Sequence, residues 1–130
     1  MRALAPLALA LLLTGCAATT APATEQPDDD CLELSNGALN ALQDGLDDKG
    51  AGYTINHAAA IADGDSWWVA ADLDGHPPVQ AVWMTVNDPT ADGDNAYISA
   101  TELASLVSIY LMPEDLSGAD PVEAAKDCLP

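Results

Sequence analysis

Residues 66–86 read SWWVAADLDGHPPVQAVWMTV, and the folding of this stretch decides the architecture of the chain. Ser66–Leu73 and Val79–Val86 are rich in β-branched and aromatic residues, the composition of strands. Asp74-Gly75-His76-Pro77-Pro78 breaks the run, because proline has no N–H to give a sheet and glycine punctuates extended segments. The break is too short for the crossover that parallel strands need, so the pair is antiparallel. Trp67 and Trp68 are adjacent and point to opposite faces. If Leu73 pairs with Val79, Val69 faces Trp83 and the Trp67 side is the fuller apolar face. A slip of one residue sets Trp68 against Trp83 instead. Either register sends an aromatic toward a face that helices on one side leave open, which makes Trp67, Trp68 and Trp83 a candidate binding surface. The competing expectation is that both faces are covered and the tryptophans serve as packing.

Upstream, Tyr53–Ala62 sets Tyr53, Ile55, His57, Ala59 and Ile61 against Thr54 and Asn56, a further strand with His57 on its more apolar side. Asp63-Gly64-Asp65-Ser66 is the turn into the tryptophan strand. Downstream, Asn87–Asn95 is a long acidic turn and Ala96–Ile98 adds a short fourth strand. Helices flank these strands. Leu39, Leu42 and Leu46 fall on one helical face, with Ser35 or Asn36 as the cap and Gly50–Gly52 as the stop. An earlier start capped by Asp30 and Glu33 would put Asn36-Gly37 inside the helix and is disfavoured. Ser99 and Glu102 fit a capping box, after which Leu103, Leu106, Val107 and Tyr110 share a helical face up to Met112-Pro113. Asp120-Pro121 begins a last short helix that carries Cys128. The expected fold is α+β: a helix, a three- to four-stranded antiparallel sheet, then two C-terminal helices, all on one sheet face.

The chain opens MRALAPLALALLLTGC. One basic residue precedes an apolar run too short to span a bilayer, the pattern of a signal peptide over residues 1–15. Leu13-Thr14-Gly15-Cys16 resembles the lipobox of bacterial lipoproteins. That resemblance implies cleavage before Cys16, a diacylglycerol on its thiol, palmitate-type acylation and a cell-membrane anchor on the extracytoplasmic side. Residues 16–30, with the sequence AATTAPATEQPDDD after Cys16, have no apolar periodicity and form a tether. As a coil it would reach roughly 20 Å, and about 50 Å if pulled straight. Residues 31–130 then form one domain. With lipid on Cys16, Cys31 and Cys128 are left as a disulfide pair joining the ends of an exported domain.

Without Arg2 the chain sets 21 acidic residues against Lys49 and Lys126, a net charge of −19. Nucleic acid and anionic lipid surfaces, which are bound through lysine and arginine, are thereby excluded as partners. The excess of acid attracts cations without defining a site. Residues 92–103, DGDNAYISATEL, resemble the end of a calcium-binding EF-hand loop. With Glu102 as the twelfth ligand position, Ser99 and Tyr97 fit the ninth and seventh, but the sixth is Ala96 in place of glycine, and Asp92 and Asp94 fall between ligand positions. The EF-hand fails by register. A different calcium site from Asp88, Asp92 and Asp94 is the surviving metal candidate.

No other constellation assembles. His57 and His76 lack the spacing of a zinc site. G-x-S-x-G is missing, and phosphate-binding glycine loops are too. Carboxylates are so frequent that a pair of them signals nothing. The segments WWVAADLDG and AVWMTVND are similar in layout to small secreted lipoproteins of high-GC Gram-positive bacteria, a group whose resemblance brings no activity with it. Three readings follow. The first is a lipid-anchored, extracytoplasmic binding or interaction domain without catalysis, whose partner is a cell-envelope protein. The second is a cell-envelope hydrolase with a site assembled from scattered residues. The third is a calcium-stabilised surface module.

Overall fold

The computed structural model describes residues 30–93 and 95–130. The expected signal peptide, Cys16 and the expected tether up to residue 29 lie outside the described residues, as does Asp94. The first helix, α1, spans Asn36–Lys49. Ser35 caps it, its hydroxyl accepting the Ala38 N–H at 3.0 Å. Gly50 closes it at φ +76°, a left-handed conformation that suits glycine, and its N–H returns to the carbonyls of Leu46 and Asp47. Four strands follow: β1 (Thr54–Asp63), β2 (Ser66–Asp74), β3 (Val79–Thr85) and β4 (Tyr97–Ser99). They pair antiparallel in chain order. Two short helices end the chain, α2 (Glu102–Val107) and α3 (Asp120–Lys126). The α+β order expected from the sequence is therefore present, with the fourth strand one residue later than its apolar run suggested.

Leu73 pairs with Val79 and Val69 with Trp83, the first of the two registers considered above. On that face Leu42 and Leu46 of α1 pack over Val69, Leu73 and Trp83, together with Ala104 and Val107 of α2. The opposite face carries Ile61, Trp68, Ala70 and Val82, and there Val122 and Ala125 of α3 cover it. The expectation that all helices share one face holds for α1 and α2, whereas α3 crosses to the other. The reason is the apolar content of the second face: Ile61, Trp68 and Val82 need cover, and Val122 and Ala125 are the buried residues of α3. The Cys31–Cys128 disulfide, with Cα atoms 5.7 Å apart, then ties the segment leading into α1 to the end of α3.

Three local expectations change. Thr101 caps α2, its hydroxyl accepting the Ala104 N–H, because Ser99 is already a buried residue of β4 whose hydroxyl donates to the Tyr110 carbonyl at 2.7 Å. The helix also ends early, at Val107. Ser108 turns to extended backbone and its buried hydroxyl donates to Ala104 O at 2.7 Å. As a result Ala104 and Val107 face inward while Leu103 and Leu106 face solvent. Finally, a bulge between Ile55 and His57 breaks the alternation of β1. Ile55 packs with the α1 cluster, but Ile61 belongs to the α3 cluster and His57 is exposed on that second face.

Tyr97 and Tyr110 bind the C-terminal half of the chain to α1. Their hydroxyls donate to the carbonyls of Ala38 and Ala41, at 3.2 and 2.7 Å, and their rings meet edge to face at 5.4 Å. Burial holds both phenols above their ordinary value of 10.0, with Asp44 and Asp48 adding to the effect at Tyr110. Gly45 makes this seat: a Cβ there would stand 2.7 Å from Cζ of Tyr110. Gly45→Ala should therefore destabilise the protein by about 1–3 kcal/mol through overpacking. An unobstructed helix position would instead gain about 1 kcal/mol from the same change. Urea unfolding decides between the two, and a gain would mean that Tyr110 does not occupy this seat.

Candidate functional site

A four-stranded open sheet has two edges, each a row of N–H and C=O groups that needs cover. The β4 edge is covered from within: the Ser99 N–H donates to Leu111 O at 2.8 Å. The β1 edge is covered at two places with a gap between. At one end Leu32 forms an antiparallel bridge with Ala60, exchanging bonds of 2.7 and 2.9 Å. At the other, the Gln43 side chain stands in for a strand residue. Its amide donates to Tyr53 O at 3.2 Å and accepts the Ile55 N–H at 2.9 Å.

Ala58 lies between these two covers. In an antiparallel pair, every second residue directs both backbone groups away from its partner. Ala60 directs its groups outward to Leu32, so Ala58 does the same, and among the described residues no partner meets them. A groove of about 540 Å³ opens here between α1 and β1. Asn36, Asn40 and Gln43 line its helix side, at the spacing that places them on one face of α1. Leu34 and Leu39 form its floor with Ile55 and Ala58 of β1. Glu33 lines it as well, and Asp47 holds the Gln43 amide at 2.9 Å. The lining offers amide donors and acceptors over a small apolar floor, a chemistry that binds polar groups of fixed geometry. The amide spacing of α1 is visible in the sequence. Nothing in the sequence shows that β1 will run alongside it.

The residues singled out from the sequence lie elsewhere or are already engaged. Trp83 is fully buried and Trp68 is 8% exposed, so of the three tryptophans only Trp67, half-buried, presents part of its ring. His57 stands at the groove rim with Nδ1 3.9 Å from Oδ2 of Asp72. The other Asp72 oxygen accepts the Gln80 amide at 2.9 Å. His76 lies exposed in the turn before β3.

The acidic loop docks on α1. Pro89 O accepts the Ser35 N–H at 2.8 Å, Ala91 O accepts the Ser35 hydroxyl at 3.2 Å, and Oδ1 of Asp92 accepts the Gly37 N–H at 3.2 Å. Asp92 thus places a carboxylate at the positive end of a helix fifty-odd residues away in sequence. Asp88 turns inward on its own loop, accepting both the backbone N–H and the hydroxyl of Thr90, bonds that hold its carboxyl below the usual range. Asp88 and Asp92 serve different donors, and among the described residues no three His, Cys, Asp or Glu side chains are grouped to hold a metal ion.

Asp92→Ala should lower the melting midpoint by a few degrees in the presence of chelator, because the lost partner is a helix terminus. A loss seen only when calcium is supplied would assign Asp92 to a cation instead. Among the described residues no helix is long and apolar enough to cross a membrane. Comparison of the chain with protein-family models, with curated proteins and with solved structures finds no match.

Proposed function

We propose that the chain is a lipid-anchored binding domain, held on the extracytoplasmic side of the cell membrane through Cys16, with no catalysis of its own. The observation that carries the binding reading is the groove between α1 and β1, where the Ala58 backbone groups and the Asn36 and Asn40 amides converge on open space. The disulfide supports an oxidising compartment. The lipobox resemblance and the tether that follows it support the anchor. A domain on a tether of roughly 20 Å would meet partners close to the membrane surface.

Cys16→Ser should release the protein from the membrane fraction into the medium or the soluble envelope fraction. Retention of the variant in the membrane would overturn the anchoring. One observation favours the hydrolase reading, the approach of His57 to Asp72. The histidine side chain is 51% exposed, however, and Asp72 is shared with Gln80. The hydroxyls of Ser99 and Ser108 are spent on backbone carbonyls. A nucleophile, a base and an orienting group are not brought together by these contacts. Esterase or amidase activity that disappears in His57→Ala would replace the binding reading with the hydrolase.

A further inference from the structure

We propose that the gap in the β1 edge at Ala58 is a docking site for a short extended peptide, basic on one face, which adds as a strand beside β1. The inference deepens the binding-domain reading and rests on it.

The edge itself selects the ligand class. Ala58 offers one outward N–H and one outward C=O, a pair that a peptide residue satisfies with its own C=O and N–H. The chain already uses both available forms of this pairing on the same edge. Leu32 meets Ala60 as a strand residue, and the Gln43 amide imitates one at Tyr53 and Ile55. Their positions on either side of Ala58 limit the gap to a short stretch of extended chain. Asn40 and Asn36 continue the Gln43 face of α1 along the groove and supply amides to the far side of the incoming backbone.

The side-chain preferences follow from alternation. A residue facing Ala58 points the same way as Ala58, toward the α1 side, where Leu39 and Ala58 sit half-buried against the core. That position takes a small or branched apolar side chain. Its two neighbours point to the opposite face, where Asp72 lies beside His57. Glu33 lines the groove, and Asp47 stands behind Gln43. Among the described residues lining the groove none is lysine or arginine. Carboxylates near the groove and a domain with a large acidic excess complement a peptide in which lysine or arginine alternates with an apolar residue.

The probe is a short capped peptide alternating lysine with valine, titrated into isotope-labelled full-length protein in detergent, with amide chemical shifts and hydrogen exchange as readouts. Binding should shift the amides of Ala58 and its neighbours, shift the side-chain amides of Asn36 and Asn40, and slow exchange at the Ala58 N–H. Ala58→Pro should weaken binding by about five- to tenfold while leaving the fold intact, since proline is tolerated on a strand edge where the N–H has no partner. Should that variant misfold, the same peptide methylated at its alternate backbone nitrogens gives the equivalent test on the unaltered protein, and it should bind at least fivefold more weakly. A glutamate–valine peptide should not bind.

Three results would overturn the site: no shift at Ala58 with the lysine–valine peptide, equal binding of its methylated form, or perturbation of the groove by a neutral oligosaccharide in place of the peptide. A peptide that fails to bind while Cys16→Ser is still released from the membrane overturns the site and leaves the anchor standing.

Discussion

Replacing Cys31 and Cys128 together by serine should lower the stability of the domain by about 4–5 kcal/mol, the largest effect expected of any change short of truncation. The bond joins residues separated by 97 positions, so it closes nearly the whole folded chain into one loop. In the chain-entropy treatment the unfolded state then loses the most freedom. It also joins the covered edge of β1 to the helix on the second face of the sheet. Cys31 precedes Leu32, which covers the β1 edge at Ala60, and Cys128 follows α3 on the other face of the sheet. A small domain has about 5–15 kcal/mol of net stability, so the loss is a large part of the whole. For a domain of this size it corresponds to a fall in the melting midpoint of roughly 20–30 °C. Thermal melts of the oxidised protein and the double serine variant measure it. Hydrogen exchange should show the Ala60 N–H opening first in the variant. A midpoint within a few degrees of the parent would mean that Leu32 and α3 dock without help from the bond.

Trp83→Ala should cost about 3–5 kcal/mol, in the range for emptying a large buried aromatic site. Trp83 is fully buried on the α1 side of β3, paired with Val69 across the sheet. Its indole N–H donates to the Ser108 hydroxyl at 3.0 Å, and that hydroxyl donates onward to Ala104 O at 2.7 Å. The ring therefore connects the sheet to the end of α2. The polar and apolar parts can be separated. Trp83→Phe keeps most of the ring volume and should cost about 1–2 kcal/mol. Ser108→Ala leaves a buried indole N–H without an acceptor and should cost about 1–3 kcal/mol. Combined, the two changes should cost less than the sum of their separate effects, because the second removes the partner that the first has already lost. Strict additivity in urea unfolding would mean that the indole and the hydroxyl do not interact.

Both features were legible in the sequence to different degrees. The disulfide follows from counting: setting Cys16 aside for the lipobox its surroundings resemble leaves Cys31 and Cys128 at the two ends of the domain. For Trp83 the sequence gives the strand and the turn before it, and pairing Leu73 with Val79 gives its neighbour Val69. It does not give Ser108, because the early end of α2 depends on a contact with a strand rather than on the local pattern. Leu103, Leu106, Val107 and Tyr110 keep a helical spacing that the backbone abandons after Val107. Thr101, Ser99 and Ser108 are all good capping residues, and which of them caps is decided by what β3 and Tyr110 offer each hydroxyl.

The acidic loop shows the same division. Its charge and turn composition are plain in residues 87–95, and the sequence invites a cation. In the fold, Asp92 meets the first turn of α1, a pairing across most of the domain that no local motif encodes.

By itself the sequence determined the local elements: the strand runs, the start of α1 at Ser35 or Asn36, its stop in Gly50–Gly52 and the antiparallel hairpins. These depend on backbone preference, alternation and short connections, all of which act over a few residues. Only the tertiary structure decided that α3 crosses to the second face, that the bulge at Asn56 parts Ile55 from His57, and that the amides of α1 run beside an open stretch of β1. Each of these depends on which surfaces meet, and a surface made of residues from distant parts of the chain exists only once the chain has folded.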